Sequence, residues 1–166
     1  MNKDINVEFN GIDHWSIFYF NEDLNQIYFT EKGLRGRIWN YDFNTEKASM
    51  FPIDLKHNCN GISFTRDNNF AVIVADNPPN ITVLNLKSNR IKSRIELTEE
   101  ETETFDIPLS VHVVDHPQHP DHKFIVVVTR NFSVLIYSYE DLRLLYSIKR
   151  DPLMNNKNEK ANNGFV

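Results

Sequence analysis

Phe70-Ala71-Val72-Ile73-Val74-Ala75 is followed, after Asn77-Pro78-Pro79-Asn80, by Ile81-Thr82-Val83-Leu84-Asn85-Leu86-Lys87 and then by Ile91-Lys92-Ser93-Arg94-Ile95-Glu96-Leu97. The first run is apolar without interruption and rich in β-branched residues, as a strand covered on both faces requires. The last alternates, with Lys92, Arg94 and Glu96 expected on one side; this suits an outermost strand whose charged edge resists unwanted pairing. Upstream, Gly61–Thr65 reads as another strand, and short Asn- and Asp-rich turns separate the segments. The stretch 61–97 is therefore expected to be four antiparallel strands in chain order.

The same pattern occurs on either side. In the first unit, strands are expected at Ser16–Phe20, Gln26–Thr30, Arg37–Phe43 and Ala48–Leu55. In the third they are expected at Ser110–Val114, Phe124–Thr129, Ser133–Tyr139 and Leu144–Lys149, where Phe124–Val128 is again a continuous apolar run. Phe20-Asn21-Glu22-Asp23 answers Phe64-Thr65-Arg66-Asp67, and Ile38-Trp39-Asn40-Tyr41 answers Val83-Leu84-Asn85-Leu86 and Ile136-Tyr137-Ser138-Tyr139. The offset, about 45 residues and longer in the third unit, fits a four-stranded blade repeat. A β-sandwich also has short strands at regular spacing, but three units agreeing in strand order and turn placement favour an all-β, partial β-propeller of about three blades, 15–55, 61–97 and 110–150.

Over residues 15–150 this layout resembles the WD-repeat β-propeller family. Trp39 stands where that family places its third-strand Trp, with Leu84 and Tyr137 in the other units. The Asp that follows in the family is replaced by Asn40, Asn85 and Ser138, and no Gly-His pair opens a blade. The resemblance implies a fold; the hydrogen-bond network those motif residues would build must be absent or rewired.

Three blades are fewer than the usual four to eight of a closed ring. Ile5, Val7 and Phe9 alternate with Asn6 and Glu8, so residues 1–14 read as a leading strand, of the kind that supplies the outer strand of a closing blade. Residues 151–166, rich in Asn, Lys and Glu, read as a disordered polar tail. A ring completed by further blades or by another chain is expected, and in isolation marginal stability or self-association.

The composition is that of a soluble globular domain, 40% apolar and 25% charged. A net charge of −5 with no dense Lys/Arg stripe disfavours nucleic-acid binding by this chain alone. A single cysteine, Cys59, precludes an internal disulfide and suits a reducing compartment. Neither a signal-peptide core nor an apolar stretch of membrane-spanning length is present, so cytoplasm or nucleus is expected and a membrane is not.

The densest chemical cluster is Asp115-His116-Pro117-Gln118-His119-Pro120-Asp121-His122, with His112 before it. Such side chains can ligate zinc, but two prolines hold the stretch extended, and an exposed hairpin loop without metal is the expectation. Thr98-Glu99-Glu100-Glu101-Thr102-Glu103-Thr104 reads as a solvated link between blades, although phosphate there would deepen its charge. Lys32, Arg35 and Arg37 around Gly33 and Gly36 form a basic turn without a phosphate-loop consensus. Cys59 beside His57 lacks further support as a nucleophile, and the channel-side strands offer mainly Ser and Thr plus His112, a poor cage for the metal of a lactonase-like propeller hydrolase.

No catalytic, cofactor-binding or metal residue is therefore expected. The function expected is a non-enzymatic propeller module or fragment that scaffolds protein partners. Two other readings are a fragment of a metal-dependent propeller hydrolase and a non-catalytic subunit of a tRNA-modifying methyltransferase. For the latter, Asp121–Arg130 resembles one blade of the partner subunit of the tRNA guanine-N7 methyltransferase.

Overall fold

The computed structural model describes residues 15–31, 36–51, 55, 58–97, 107–119 and 121–149. The leading segment 1–14, the tail 151–166 and the acidic run 98–104 lie outside them. Twelve strands follow one another: β1 (Trp15–Asn21), β2 (Gln26–Glu31), β3 (Ile38–Asp42), β4 (Lys47–Met50), β5 (Asn58–Phe64), β6 (Phe70–Asp76), β7 (Asn80–Asn85), β8 (Arg90–Glu96), β9 (Pro108–Asp115), β10 (Lys123–Thr129), β11 (Val134–Ser138) and β12 (Leu144–Ile148). They form three four-stranded antiparallel sheets, β1-β2-β3-β4, β5-β6-β7-β8 and β9-β10-β11-β12, each in chain order. The described residues thus form an all-β partial propeller of three blades. The first strands stand together, β1 against β5 and β5 against β9, as innermost strands do.

The turns explain how a chain with only five glycines makes so many reversals. Asn25, Asn68 and Asn89 take left-handed backbone (φ 50°, 54° and 53°) in the β1–β2, β5–β6 and β7–β8 turns. Asn tolerates that region because its short amide bonds locally. Glu46 and Leu142 occupy it in the β3–β4 and β11–β12 turns at φ 56° and 55°. Leu142 bears that strain with its side chain buried in the core shared by the second and third sheets.

Two apolar layers hold the stack together, and the second sheet supplies both. On β6, Ala71 and Ile73 pack toward the first sheet with Tyr28, Ile38, Leu55 and Phe64. Val72 and Val74 pack toward the third with Ile125, Val127, Leu135 and Tyr137. All four β6 side chains are inaccessible to solvent, as the uninterrupted apolar run predicts.

β10 departs from that expectation. Ile125 and Val127 are buried, but Phe124, Val126 and Val128 are only half-buried, because the second sheet covers a single face of the third. Trp39 and Ile136 are half-buried for the same reason, whereas Ile38, Val83, Leu84 and Tyr137, on the same third strands, are buried.

Two other expectations are corrected. β4 stops at Met50 instead of reaching Leu55; Phe51 still donates its N–H to the Ile38 carbonyl at 2.8 Å but is no longer part of the strand, and residues 52–54 lie outside the described residues. On β8 the alternation breaks at a bulge, since Ser93 pairs with Val83 and Ile91 with Leu84, which skips Lys92. Lys92 consequently lies over the rings of Phe70 and Tyr139, at 5.0 and 4.8 Å. Arg94 turns to the opposite face, and its Nε donates to Thr82 Oγ1 at 2.8 Å.

Gly61 allows the innermost strands their close approach. A Cβ there would stand 2.9 Å from Val74 Cγ2, 3.0 Å from Ser110 Cα and 3.1 Å from the Val111 nitrogen. Two of those atoms are backbone and cannot swing aside. Gly61→Ala is therefore expected to cost about 1–3 kcal/mol through overpacking, read as a lower urea midpoint at unchanged slope; an unchanged midpoint would show that β5 and β9 do not meet this tightly.

Candidate functional site

Antiparallel sheets built in chain order place the β1–β2, β3–β4, β5–β6, β7–β8, β9–β10 and β11–β12 turns on one edge of the stack. Along this rim the first and second sheets are tied by side chains. Asn21 Nδ2 donates to Asn68 Oδ1 at 2.6 Å, and Asn68 Nδ2 donates to Asp23 Oδ2 at 3.3 Å. The left-handed backbone at Asn68 aims its amide across the seam.

A cleft opens on each side of Asn68. One, of ≈ 330 Å³, is lined by Gln26, Tyr28, Asn40 and Ser49 together with Met50 and Phe51. Ser49 donates to Asn40, whose Nδ2 reaches Gln26 Oε1 at 3.5 Å. The Tyr28 hydroxyl donates to the same oxygen at 2.7 Å, and Gln26 Nε2 donates to Asp42 Oδ2 at 3.0 Å. Burial, and secondarily the Asp42 carboxylate, push the Tyr28 phenol up to about 12, so it stays a neutral donor. Asn40, an uncharged residue, thus takes part in an amide network with Ser49 and Gln26.

The other cleft, of ≈ 380 Å³, is lined by Tyr19, Phe20 and Phe64 and rimmed by Glu22, Asp23 and Arg66. Burial first, then Asp23 and Glu22, raise the Tyr19 phenol. Apolar ring surface lies beneath acidic and amide groups, an arrangement that can hold a peptide or other polar ligand through hydrogen bonds.

The remaining sequence candidates are not brought together here. His116, His119 and His122 fall in the β9–β10 loop, with ring centroids 5.0 Å apart for the first two and 6.0 Å for the last two. His116 Nδ1 accepts the N–H groups of Gln118 and His119, each at 3.1 Å, so this imidazole serves the turn. Among the described residues no three His, Cys, Asp or Glu side chains converge as a metal-ligand set. His112 is exposed on the outer face of the third sheet.

Cys59 is fully buried, and its Sγ donates to the Gly36 carbonyl at 3.7 Å. Burial pushes the thiol up to about 12, against the low value a nucleophile needs. Gly36 adopts φ 53°, as its turn requires, and Arg37 is half-buried; Lys32, Gly33, Arg35 and His57 lie outside the described residues.

The rim itself was not singled out by sequence reasoning. Its only signal was the turn asparagines at matching places, and the seam joins residues 47 apart in the chain.

No protein-family model matches the chain, and no curated protein matches it. Among solved structures the chain is similar to Kuenenia stuttgartiensis Hydrazine Synthase, at 9% identity with a TM-score of 0.59 over 85% of this chain. The chain spans 39% of the length of that protein. At this identity the likeness is one of fold.

Two outcomes follow from the rim and the core. Thr65 Oγ1, at 2.5 Å, and Asn69 hold the Asp67 carboxylate below its ordinary 3.8, outweighing a desolvation effect of opposite sign. A lowered carboxylate contributes stability in full above its unfolded value and loses it as pH falls through its folded one. Asp67→Asn is thus expected to flatten the decline of melting temperature on acidification below pH 3.8, measured by circular dichroism in matched buffers. Cys59 is expected to stay unreactive toward an aromatic disulfide reagent at pH 8 and to titrate fully in denaturant; rapid labelling of the native chain would contradict its burial.

Proposed function

We propose that this chain is a non-enzymatic propeller module, akin in layout to WD-repeat proteins, that holds a protein partner on its turn rim. The observation that carries this reading is the Asn21–Asn68–Asp23 bridge, which locks two turns and leaves an aromatic-floored cleft open on either side. Backbone amides of a bound segment would find acceptors and donors at Gln26, Asn40 and Ser49, while Glu22 and Asp23 would favour a basic side chain on the partner. The clefts described supply hydrogen-bonding positions over aromatic surface, which suits an interaction module. The lone inert thiol agrees with action in the cytoplasm or nucleus.

The test compares the proteins retained by the tagged chain, by Glu22→Lys/Asp23→Lys, and by Arg130→Glu on the opposite edge, each quantified by mass spectrometry. Partners retained by the wild type and the Arg130 variant should fall at least tenfold on the Glu22/Asp23 variant. Equal retention by all three would remove the rim from the proposal.

A further inference from the structure

The two clefts that share Asn68 as a wall differ in charge. The one over Tyr19 and Phe64 is acidic at its mouth. Glu22 and Asp23 are exposed there, and neither makes an ion pair with a described residue. Arg66 offsets one of the two and leaves an excess of negative charge. Their field reaches the floor, since the Tyr19 phenol is raised, after burial, by Asp23 and then by Glu22. The Tyr19 and Phe64 rings stand 4.9 Å apart, centroid to centroid. Such a surface can carry the apolar stem of a lysine or arginine while its charge stays at the wet, acidic mouth.

The cleft over Tyr28 and Phe51 has no charged side chain among the described residues that line it. The Asp42 carboxylate, which Gln26 bonds, has both oxygens engaged. Oδ2 accepts from Gln26 Nε2 at 3.0 Å, and Oδ1 accepts from the Asn44 and Thr45 N–H groups at 2.7 and 3.1 Å. A charge drawn from water into this cleft would find no counter-charge, a cost that neutral groups escape. Neutral polar groups are provided for. A side-chain amide carries two N–H donors, and Gln26 Nε2 and Asn40 Nδ2 each give one to the network. The other on each can meet a carbonyl or hydroxyl oxygen.

We infer, on the reading of the rim as a partner-binding edge, that the bound segment of the partner carries a lysine or arginine beside an uncharged residue. The basic side chain enters the cleft of Glu22 and Asp23, and the uncharged one enters the cleft of Gln26 and Asn40. Asn68 is held by Asn21 and Asp23, so the wall between the two is fixed and the side chains part over it. An acidic residue is rejected at both places, by repulsion at the first and by desolvation at the second.

The probe is a random short-peptide library displayed on phage and selected on the immobilised full chain, the enriched sequences then being synthesised. Enriched peptides are expected to share a Lys or Arg next to an uncharged residue. Replacing that basic residue by Ala should weaken binding roughly fivefold on the wild type, the upper end for an exposed charge pair, and leave binding to Glu22→Lys/Asp23→Lys unchanged. Placing Lys at the uncharged position should weaken binding about tenfold on the wild type, for want of a counter-charge. Asn40→Asp, which puts a carboxylate in that cleft, should recover most of this loss. Folding of each variant is checked by a cooperative thermal transition. Glu22→Gln, which leaves the bond between Asp23 and Asn68 in place, replaces the double variant if that one unfolds, with a smaller loss of the same sign expected. No enrichment, enriched peptides without a basic residue, a basic residue missed equally by the wild type and the Glu22/Asp23 variants, or no recovery on Asn40→Asp would each overturn the inference. Cellular partners that still depend on Glu22 and Asp23 would then leave the rim standing as a docking edge, whereas retention indifferent to the rim removes both.

Discussion

The structure depends on a middle sheet that is apolar on both faces. β6 meets that demand with alternate side chains of different size, Ala71 and Ile73 toward one neighbour, Val72 and Val74 toward the other. Each large side chain so buried is worth about 1.5–3 kcal/mol relative to exposure. Among the described residues no helix covers either face, so blade-on-blade contact is the source of the core. The absence of a side chain at Gly61 then lets β5 and β9 stand close enough for the second layer to close.

The rim is a consequence of the same stacking. Once the inner strands are adjacent, turns from successive sheets come to the same edge, and short polar side chains can span the seam between them. Asparagine serves twice there. It takes the left-handed conformation that ends a turn, and its amide both gives and accepts, so Asn68 can bond Asn21 and Asp23 together. The clefts beside it remain open because the bridge uses small groups.

Much of the fold was legible because it is local. Strand order, the pairing of β6 with β7 and the turns at Asn25, Asn68 and Asn89 follow from alternation, β-branching and turn chemistry within a few residues. Burial on the outer face of β10 was not legible, since the run Phe124–Val128 reads like Phe70–Val74 whether or not a neighbour covers it. The bulge at Lys92 was hidden for a related reason: strict alternation along β8 does not show which of its own residues goes unpaired with β7. Glu46 and Leu142 in left-handed backbone also escape sequence reasoning, because neither residue type prefers that region and their neighbours impose it. The site was the least legible part, as its bridge and clefts depend on which sheets stack.

The two core layers share no residue, and the second sheet contributes to both. Mechanically the molecule is thus a series arrangement, in which a displacement of the first sheet reaches the third through the second. The thickness of that plate is set by side chains that alternate along one strand, so any strain that shifts Ile73 must be passed to Val72 and Val74 through the backbone they share. Wedging the seam at Asn68 would load the first and second sheets directly, and the third only through the second.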